Sequence, residues 1–595
     1  MRRALTLAAA LAALTAPPCA ADELKPALTA TTEFLSLDGQ PVPSIAPHMP
    51  VQIRVSIANG LGGGTPAGLK LFGWLRRIDA DDLPCGQAAE AFMRTGRLPN
   101  GTMFLNDPVI GVVTEDGAFA VSDPDFSLAS ANILGAVTLE SRVAALRGDA
   151  FGRRFLLVLP DAGQVRMIGA AGHDLGAIDG LEHPRDVSGA GNGAVIVLEG
   201  SGALLHVAAD GARRRIAEGV GAIRPSGNAD WLVALQPETG ADSGRAVLID
   251  TGKGVQSQEF AAPDLRDATI LEQGGTPFGI ALLTGAGIAI QYLDAPELVQ
   301  LIPLPARVAR LAAAPGGRVA LAWSPRGGPA HVIDVARGRL VRSVKANSPI
   351  SEVAFSQRSA FLMLASQTHV GALGLDAIAR GEAADFREIL IGSAAQAPRA
   401  GRQLLAPLWP LDGMLAVHAE SYQGYRIMES STMGDAPAMT ATPLRGGIPR
   451  LVATLDRSFR EGPEGVFQTV ASLPGPGRFE LVATTGLGAL SFCTELPVAL
   501  PQGPEAAPVG RLAIRPEGEA IRLALTDAGG HPRAGLVGRV TFSALTGSWR
   551  AHADLRTGAD GVSDLAFALP PLDAVLIQID AGNEVFAPLL WERDP

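Results

Sequence analysis

Short runs of alternating apolar and polar residues, separated by turns rich in Gly, Pro and Asp, fill most of the chain. Seven similar runs recur, at residues 117–123, 164–169, 203–208, 245–250, 287–293, 330–334 and 368–373. Their centres lie about 38 to 46 residues apart, which is the length of one four-stranded propeller blade. The spacing therefore predicts a β-propeller of about seven blades over residues 99–401. Six or eight blades remain alternatives, because the first and last repeats of such rings are often irregular.

The flanking segments show strand-like alternation without the repeat. Residues 22–98 contain alternating strands at 51–57 and 69–75, and a short helix is predicted for residues 87–97. This pattern is typical of a small immunoglobulin-like β-sandwich. Residues 402–499 and 510–595 show similar alternation, with a Pro-rich linker at 500–509 between them. The predicted fold class is therefore all-β: a seven-bladed β-propeller with N-terminal and C-terminal β-sandwich (Ig-like) domains.

The first 21 residues have the pattern of a signal peptide. Arg2 and Arg3 precede an apolar run at 4–16, and small residues follow at positions 19–21. A basic start, a short apolar stretch and a small-residue cleavage site are the signature of a secretory signal, which is left out of fold reasoning. No later stretch of about 18 uncharged apolar residues follows. The sequence thus predicts a periplasmic protein with no membrane span after signal cleavage.

Charge narrows the classes of partner. The chain has 60 acidic and 49 basic residues, a formal net charge of −11, and its Lys and Arg residues form no long basic run. Nucleic acids and anionic membranes attract clustered positive charge. We therefore expect no nucleic-acid partner, and instead a periplasmic protein or a small-molecule ligand.

Cysteine usage offers one cross-link. If Cys19 is removed with the signal, only Cys85 and Cys493 remain for an oxidising compartment. A disulfide between them would tie an N-terminal module to a C-terminal one. The alternative is two buried free thiols, which pack as small apolar groups.

Several segments together resemble a known group of proteins. They are residues 65–77, Cys85, residues 104–107 and 112–124, and then residues 455–461, 465–469, 477–481 and Cys493. This set resembles bacterial periplasmic proteins with cytochrome d1-like or YVTN-type propellers and flanking Ig-like domains. The resemblance covers most of residues 60–500 and implies architecture more than activity. It also implies a place in a redox or metal-handling pathway.

The resemblance raises the question of haem, because d1-type propellers hold that cofactor in the central channel through histidine. Covalent c-type haem is excluded, since the chain has no Cys-x-x-Cys-His motif. His183 is the best candidate ligand for a haem d1-like cofactor, with Arg185 nearby for a propionate. The alternative is that a His before a Pro is ordinary composition for a blade turn.

Copper is the second cofactor hypothesis. Met428, Met433 and Met439 lie in one segment, with His418 upstream. Thioether and imidazole groups are ligands that suit Cu(I). The alternative is that these methionines fill gaps in a core or a domain interface.

No hydrolase motif such as Gly-x-Ser-x-Gly or His-Glu-x-x-His is present. The leading hypothesis is a non-catalytic periplasmic binding or assembly protein, whose propeller docks a partner protein or a small ligand. The alternative is a redox or hydrolytic propeller enzyme with a non-covalent cofactor in its central channel. The sequence leaves the catalytic residues unassigned.

Overall fold

The structure is a computed structural model of the chain. It describes residues 28–46, 49–60, 67–78, 83–99, 102–124, 132–139, 141–227, 229–237, 243–382, 385–393, 401–428, 438–462, 465–473, 477–486, 490–498, 510–517, 520–527, 529–544, 550–565, 569, 574–581, 586 and 589–592. The predicted signal peptide and the predicted linker at 500–509 lie outside these residues.

The chain begins with four strands and one helix: β1 Leu28–Leu35, β2 Pro50–Asn59, β3 Phe72–Arg77, α1 Cys85–Thr95 and β4 Met103–Phe104. Thirty-two strands follow: β5 Pro108–Thr114, β6 Ala118–Ser122, β7 Ile133–Thr138, β8 Ala145–Asp149, β9 Arg154–Leu159, β10 Gln164–Gly169, β11 Asp174–Ile178, β12 Asp186–Gly189, β13 Val195–Leu198, β14 Leu204–Val207, β15 Arg213–Ala217, β16 Ala222–Pro225, β17 Trp231–Gln236, β18 Gly244–Asp250, β19 Val255–Ala262, β20 Asp267–Gln273, β21 Thr276–Leu283, β22 Ile288–Tyr292, β23 Val299–Ile302, β24 Arg310–Ala313, β25 Val319–Trp323, β26 Ala330–Asp334, β27 Arg339–Val344, β28 Ile350–Phe355, β29 Ser359–Leu364, β30 His369–Gly374, β31 Phe386–Leu390, β32 Leu405–Pro407, β33 Gly413–His418, β34 Gln423–Met428, β35 Ala438–Pro443 and β36 Pro449–Asp456.

Helix α2, Leu375–Arg380, lies between β30 and β31. The last strands are β37 Arg460–Glu461, β38 Val466–Ser472, β39 Phe479–Thr484, β40 Ser491–Glu495, β41 Arg511–Glu517, β42 Ala520–Thr526, β43 Val537–Ala544, β44 Arg550–Arg556, β45 Val562–Leu565, β46 Ala574–Asp580 and β47 Leu589–Glu592. Neither helix, nor any other among the described residues, is long and apolar enough to cross a membrane.

The central strands form eight four-stranded antiparallel sheets, which we number as blades. Blade 1 has the order β36-β5-β6-β7, and blades 2 to 8 take the strands from β8 to β35 in consecutive groups of four. The first strands of neighbouring blades contact each other along most of the series, and a shared apolar core joins blades 6 and 7. The sheets therefore close into a ring around an axis, which is a β-propeller.

The predicted blade count of seven differs from the eight sheets of the structure. The seven recurring runs are the third strands of blades 1 to 7, namely β6, β10, β14, β18, β22, β26 and β30. The missed repeat is β34 of blade 8, which the sequence analysis assigned to a sandwich. It begins 54 residues after β30, whereas β30 begins 39 residues after β26. Helix α2 and the long connection before β32 lengthen this interval and hide the repeat.

The predicted separate sandwiches at 22–98 and 402–499 are also corrected by the strand pairing. Strand β2 pairs with β38 and β3 pairs with β39, so both ends of this region build the same two sheets, β1-β2-β38-β37 and β4-β3-β39-β40. Residues 405–456 belong to the ring. Alternation marks a half-buried strand without naming its partner, so the sequence pattern missed this pairing. The propeller is an insertion between two halves of one sandwich.

One apolar core continues from this sandwich into blades 1 and 2. It contains Ile53 and Phe467 from the sandwich with Phe119 and Phe155 from the blades. At the same junction the Arg457 guanidinium donates to the carboxylate of Asp123 at 2.6 Å, and both side chains are almost fully buried. The sandwich is therefore fixed to one face of the ring, which we call the lower face.

The segment at 510–592 forms a second pair of sheets, β41-β42-β45 and β44-β43-β46-β47. Leu523 and Leu525 of the first sheet pack against Phe542 and Ile577 of the second. The predicted sandwich at 510–595 thus corresponds to two packed sheets over the residues that are described.

Cys85 and Cys493 form a disulfide. The bond joins the start of α1 to β40, and the Cα atoms are 5.9 Å apart although 408 residues separate them in sequence. The expectation of a bridge between N-terminal and C-terminal segments is confirmed. Helix α1 also buries Phe92 against Trp74, with the ring centroids 5.0 Å apart.

We predict that replacing Cys85 and Cys493 together by Ala lowers the free energy of unfolding by about 2 to 4 kcal/mol, because the cross-link restricts the unfolded chain. Urea unfolding followed by near-ultraviolet circular dichroism measures this change. Wild-type protein unfolded with a reductant should match the double variant. Equal midpoints for the oxidised wild type and the variant would contradict the prediction.

Candidate functional site

The face of the ring opposite the sandwich carries the connections between successive blades, and we call it the upper face. Each connection leads from an outermost strand to the first strand of the next blade, as at residues 139–144 and 444–448. The turns between second and third strands, such as residues 115–117, lie on the same side. Loops at one end of a ring are the usual position of propeller binding sites.

A cavity of about 600 Å³ opens on the upper face beside blade 1, and we call it the mouth cavity. Its wall comes from three elements: the β5–β6 turn, the connection between β7 and β8, and the start of β36. The polar residues that line it are Thr114, Glu115, Asp116, Ser141, Arg142 and Arg450. Its volume lies in the range of small-molecule sites in proteins.

Two arginines without a carboxylate partner share this wall. Among the described residues, neither Arg142 nor Arg450 forms an ion pair. Arg450 donates to the backbone carbonyl of Val143. Burial lowers the pKa of Arg450, the nearby positive charge of Arg142 lowers it further, and Glu115 opposes the shift. Two adjacent guanidinium groups of this kind favour an anion between them.

The acidic residues of the wall are already engaged. Glu115 accepts a hydrogen bond from Arg402, whose side chain is only 4% exposed. Arg402 also donates to the side-chain oxygen of Gln367 at 3.0 Å. Asp116 accepts a hydrogen bond from the Thr114 hydroxyl. The carboxylates therefore hold the wall in place and leave Arg142 and Arg450 uncompensated.

Ser141 adds an unsatisfied polar group to the same wall. Its hydroxyl oxygen is inaccessible to solvent and has no hydrogen-bond partner among the described residues. A buried hydroxyl without a partner costs free energy, so such a group marks a position where a ligand or water would complete the bonding.

Below the mouth cavity, charged side chains of the first strands cross the channel, and we call this group the axial network. Arg147 of β8 donates to both carboxylate oxygens of Asp186 on β12, at 3.2 and 3.1 Å. It also donates to the side-chain oxygen of Gln403, before β32, at 3.4 Å. Arg147 thus joins blades 2, 3 and 8 across the axis.

Glu352 of β28 completes the axial network. Its carboxylate accepts backbone N–H bonds from Leu404 at 2.9 Å and from Leu405 at 3.3 Å, which ties blade 7 to blade 8. Burial raises the pKa of Glu352 to about 7, while the two N–H donors and the charge of Arg147 oppose the rise. This carboxyl therefore changes its charge near neutral pH.

The same pairing recurs farther around the ring. Arg224 is the third residue of β16 and binds Asp267, the first residue of β20, at 3.0 Å. Arg147 and Asp186 occupy the equivalent positions of β8 and β12. Asp267 also accepts the backbone N–H of Leu311 in the following blade at 3.0 Å. Ion pairs and backbone bonds thus connect neighbouring first strands.

The haem candidates His183 and Arg185 lie in the connection between β11 and β12, on the upper face. Both side chains are exposed, and His183 has a positive φ of 45°. Arg185 donates to the backbone carbonyl of Val220 at 3.3 Å. The structure places both residues in one loop of the upper face, but neither lines the mouth cavity.

The copper candidates do not come together. Met428 pairs with Ala438 and Ile427 pairs with Met439, so Met428 and Met439 point to opposite faces of blade 8. His418 is buried, and its Nδ1 atom lies 2.8 Å from the Ser421 hydroxyl. Met433 lies outside the described residues. Throughout the described ranges, no group of three or more His, Cys, Asp or Glu residues has a metal-binding arrangement.

Sequence reasoning missed Arg142, Arg450, Arg147 and Glu352. A signal for two of them exists: Arg147, Arg224 and Glu352 are each the third residue of a first strand, a strand that otherwise carries mostly small and apolar residues. Finding this pattern needs the register of the first strands, which alternation alone does not supply. Arg142 and Arg450 meet only because blade 1 combines distant segments.

The raised pKa of Glu352 predicts a pH dependence of stability. In the folded protein the carboxyl keeps its proton at a pH where the unfolded chain, with an ordinary value of 4.5, has lost it. Its contribution is therefore fully present below about pH 4.5 and is lost as the pH rises through about 7. Between about pH 5 and pH 8, we expect wild type to lose roughly 2 kcal/mol more stability than Glu352→Gln.

Urea unfolding at the two pH values measures this difference. The control is Glu297→Gln, because Glu297 is exposed and should leave the wild-type dependence unchanged. A Glu352→Gln variant with the same pH dependence as wild type would show that this carboxyl does not titrate in the range.

No protein-family model and no curated protein matches the chain. Solved structures resemble it at low identity. Apo AztD from Citrobacter koseri is 12% identical with a TM-score of 0.43, over 59% of this chain and 98% of that chain. BamB from Moraxella catarrhalis is 14% identical with a TM-score of 0.36, over 62% and 97%. The dihydro-heme d1 dehydrogenase NirN in complex with DHE is 12% identical with a TM-score of 0.34, over 50% and 76%. Similarity at this level carries no argument about function.

Proposed function

We propose that this protein is a non-catalytic, periplasmic binding protein that takes a small anionic ligand in the mouth cavity. The observation that carries the proposal is the pair Arg142 and Arg450, which share one wall without a carboxylate partner among the described residues. An anion between the two guanidinium groups would relieve their mutual repulsion and accept charge-assisted hydrogen bonds. The Ser141 hydroxyl supplies a further donor beside them.

The chemistry of the wall favours binding over catalysis. Guanidinium groups remain protonated at neutral pH, so they orient an anion but exchange no proton with it. Glu115 and Asp116 already accept hydrogen bonds from Arg402 and Thr114. The groups that face the cavity therefore suit recognition of a charged ligand.

The competing proposal is a haem d1-like cofactor bound on the upper face. It is supported by His183 and Arg185, which are exposed together in one loop of that face. An absorption spectrum of protein exported with its native signal separates the two proposals. A Soret-region band that disappears in His183→Ala would favour the cofactor, whereas a featureless spectrum favours the anion-binding protein.

We predict that inorganic phosphate or citrate binds the wild-type protein and that Arg142→Ala weakens this binding at least tenfold. The expected loss corresponds to roughly 1.5 to 3 kcal/mol, the contribution of a hydrogen bond to a charged group. Titration calorimetry at low ionic strength measures the affinities, with glycerol as an uncharged probe of similar size.

The matched control is Arg326→Ala. Arg326 is an exposed arginine in the β25–β26 turn of blade 6, so its removal changes the net charge equally without touching the mouth cavity. Its affinity should equal that of wild type. No detectable anion binding, or equal losses in the two variants, would overturn the proposed function.

A further inference from the structure

The C-terminal sandwich turns a polar, basic face away from its own core. In the sheet β44-β43-β46-β47, Arg550 pairs with Ser543, His552 with Thr541, and Asp554 with Arg539. Residues that are directly opposite in an antiparallel pair share a face. Arg539, Arg550 and His552 therefore lie on the face opposite Phe542 and Leu555, which belong to the buried core.

The same face meets the propeller beside the mouth cavity. The Arg550 guanidinium donates to the backbone carbonyl of Gly446 at 3.5 Å. Gly446 lies in the connection that leads from β35 to β36, four residues before Arg450. Burial, Arg550 and Arg539 lower the pKa of His552, and the charge of Asp116 in the mouth wall opposes that shift. The basic face and the cavity wall are thus neighbours.

The two sets of cations are separated along one direction. Arg142 and Arg450 line the cavity, whereas Arg550 and Arg539 follow the rim on the sandwich side. Along the sheet, Ser543, the partner of Arg550, lies four residues from Arg539, a distance of roughly 13 Å at the strand repeat. A single compact anion cannot reach all of these groups, but a linear ligand with several anionic groups can.

We infer that the ligand is a linear polyanion, with one anionic group held between Arg142 and Arg450 and another held by Arg550 and Arg539. This inference rests on the proposed function and specifies its ligand class. Polyphosphates and oligocarboxylates share the required chemistry, since both present oxygen anions at regular spacing. Each additional ion pair strengthens binding, and exposed arginines that lack ion pairs in the free protein gain most from it.

The test compares phosphate with tripolyphosphate by titration calorimetry on the full chain. Wild type should bind tripolyphosphate about thirtyfold more tightly than phosphate, since each tenfold step requires about 1.4 kcal/mol. The double variant Arg539→Ala with Arg550→Ala should lose about tenfold in tripolyphosphate affinity and keep wild-type phosphate affinity. Arg142→Ala should weaken both probes.

The control within the same sandwich is Arg511→Ala, because Arg511 is exposed on the other sheet, in β41. It should bind both probes as wild type does. Butane-1,2,3,4-tetracarboxylate distinguishes the two sources of the ligand: a loss in the double variant with this probe supports an oligocarboxylate, and a loss with tripolyphosphate alone supports a polyphosphate.

The outcomes that overturn the inference differ from those that overturn the proposed function. If Arg142→Ala weakens both probes while the double variant binds tripolyphosphate as wild type does, the cavity binds anions and the basic face takes no part. If neither probe shows binding that depends on Arg142, both the inference and the proposed function fail.

Discussion

The whole architecture depends on the pairing of strands from the two ends of the chain. Strand β5 pairs with β36, and this pairing closes the ring, because blade 1 has no first strand until residues 449–456 arrive. The same return of the chain pairs β2 with β38 and β3 with β39, and this completes the sandwich. One event thus seals two cores. The Cys85–Cys493 bond then links two segments that are distant in sequence but already adjacent in space.

This closure also decides which face of the ring is open. The sandwich continues the apolar core of blades 1 and 2 on the lower face, so the upper face is left with the connections between blades. Arg450 and Arg142 become neighbours because β36 returns beside the connection between β7 and β8. The mouth cavity is therefore a direct consequence of where the ring closes. A propeller closed at another blade would not place these two arginines together.

The sequence revealed the repeating unit better than it revealed the closure. The seven recurring runs are third strands, since that position keeps its apolar centre in every blade, and the helix after Cys85 was placed within two residues of its start. The eighth repeat was missed because α2 and the connection before β32 stretch the interval. The partners of the sandwich strands were missed because pairing across more than 400 residues leaves no local signal. The cavity was missed for the same reason, as its wall joins residues 114–117, 141–143 and 450.

The distribution of charge gives the upper face its character. In a chain with a net charge of −11, most arginines of the channel are neutralised in place, as Arg147 is by Asp186 and Arg224 by Asp267. Such pairs compensate the cost of removing charges from water and also tie neighbouring blades together. Arg142 and Arg450 break this rule, since each raises the energy of the other and the acidic residues beside them are engaged elsewhere. Local rules of this kind are broken mainly at functional sites, where a bound partner supplies the missing compensation. In the free protein this pair is a cost to stability, and a bound anion converts it into binding energy.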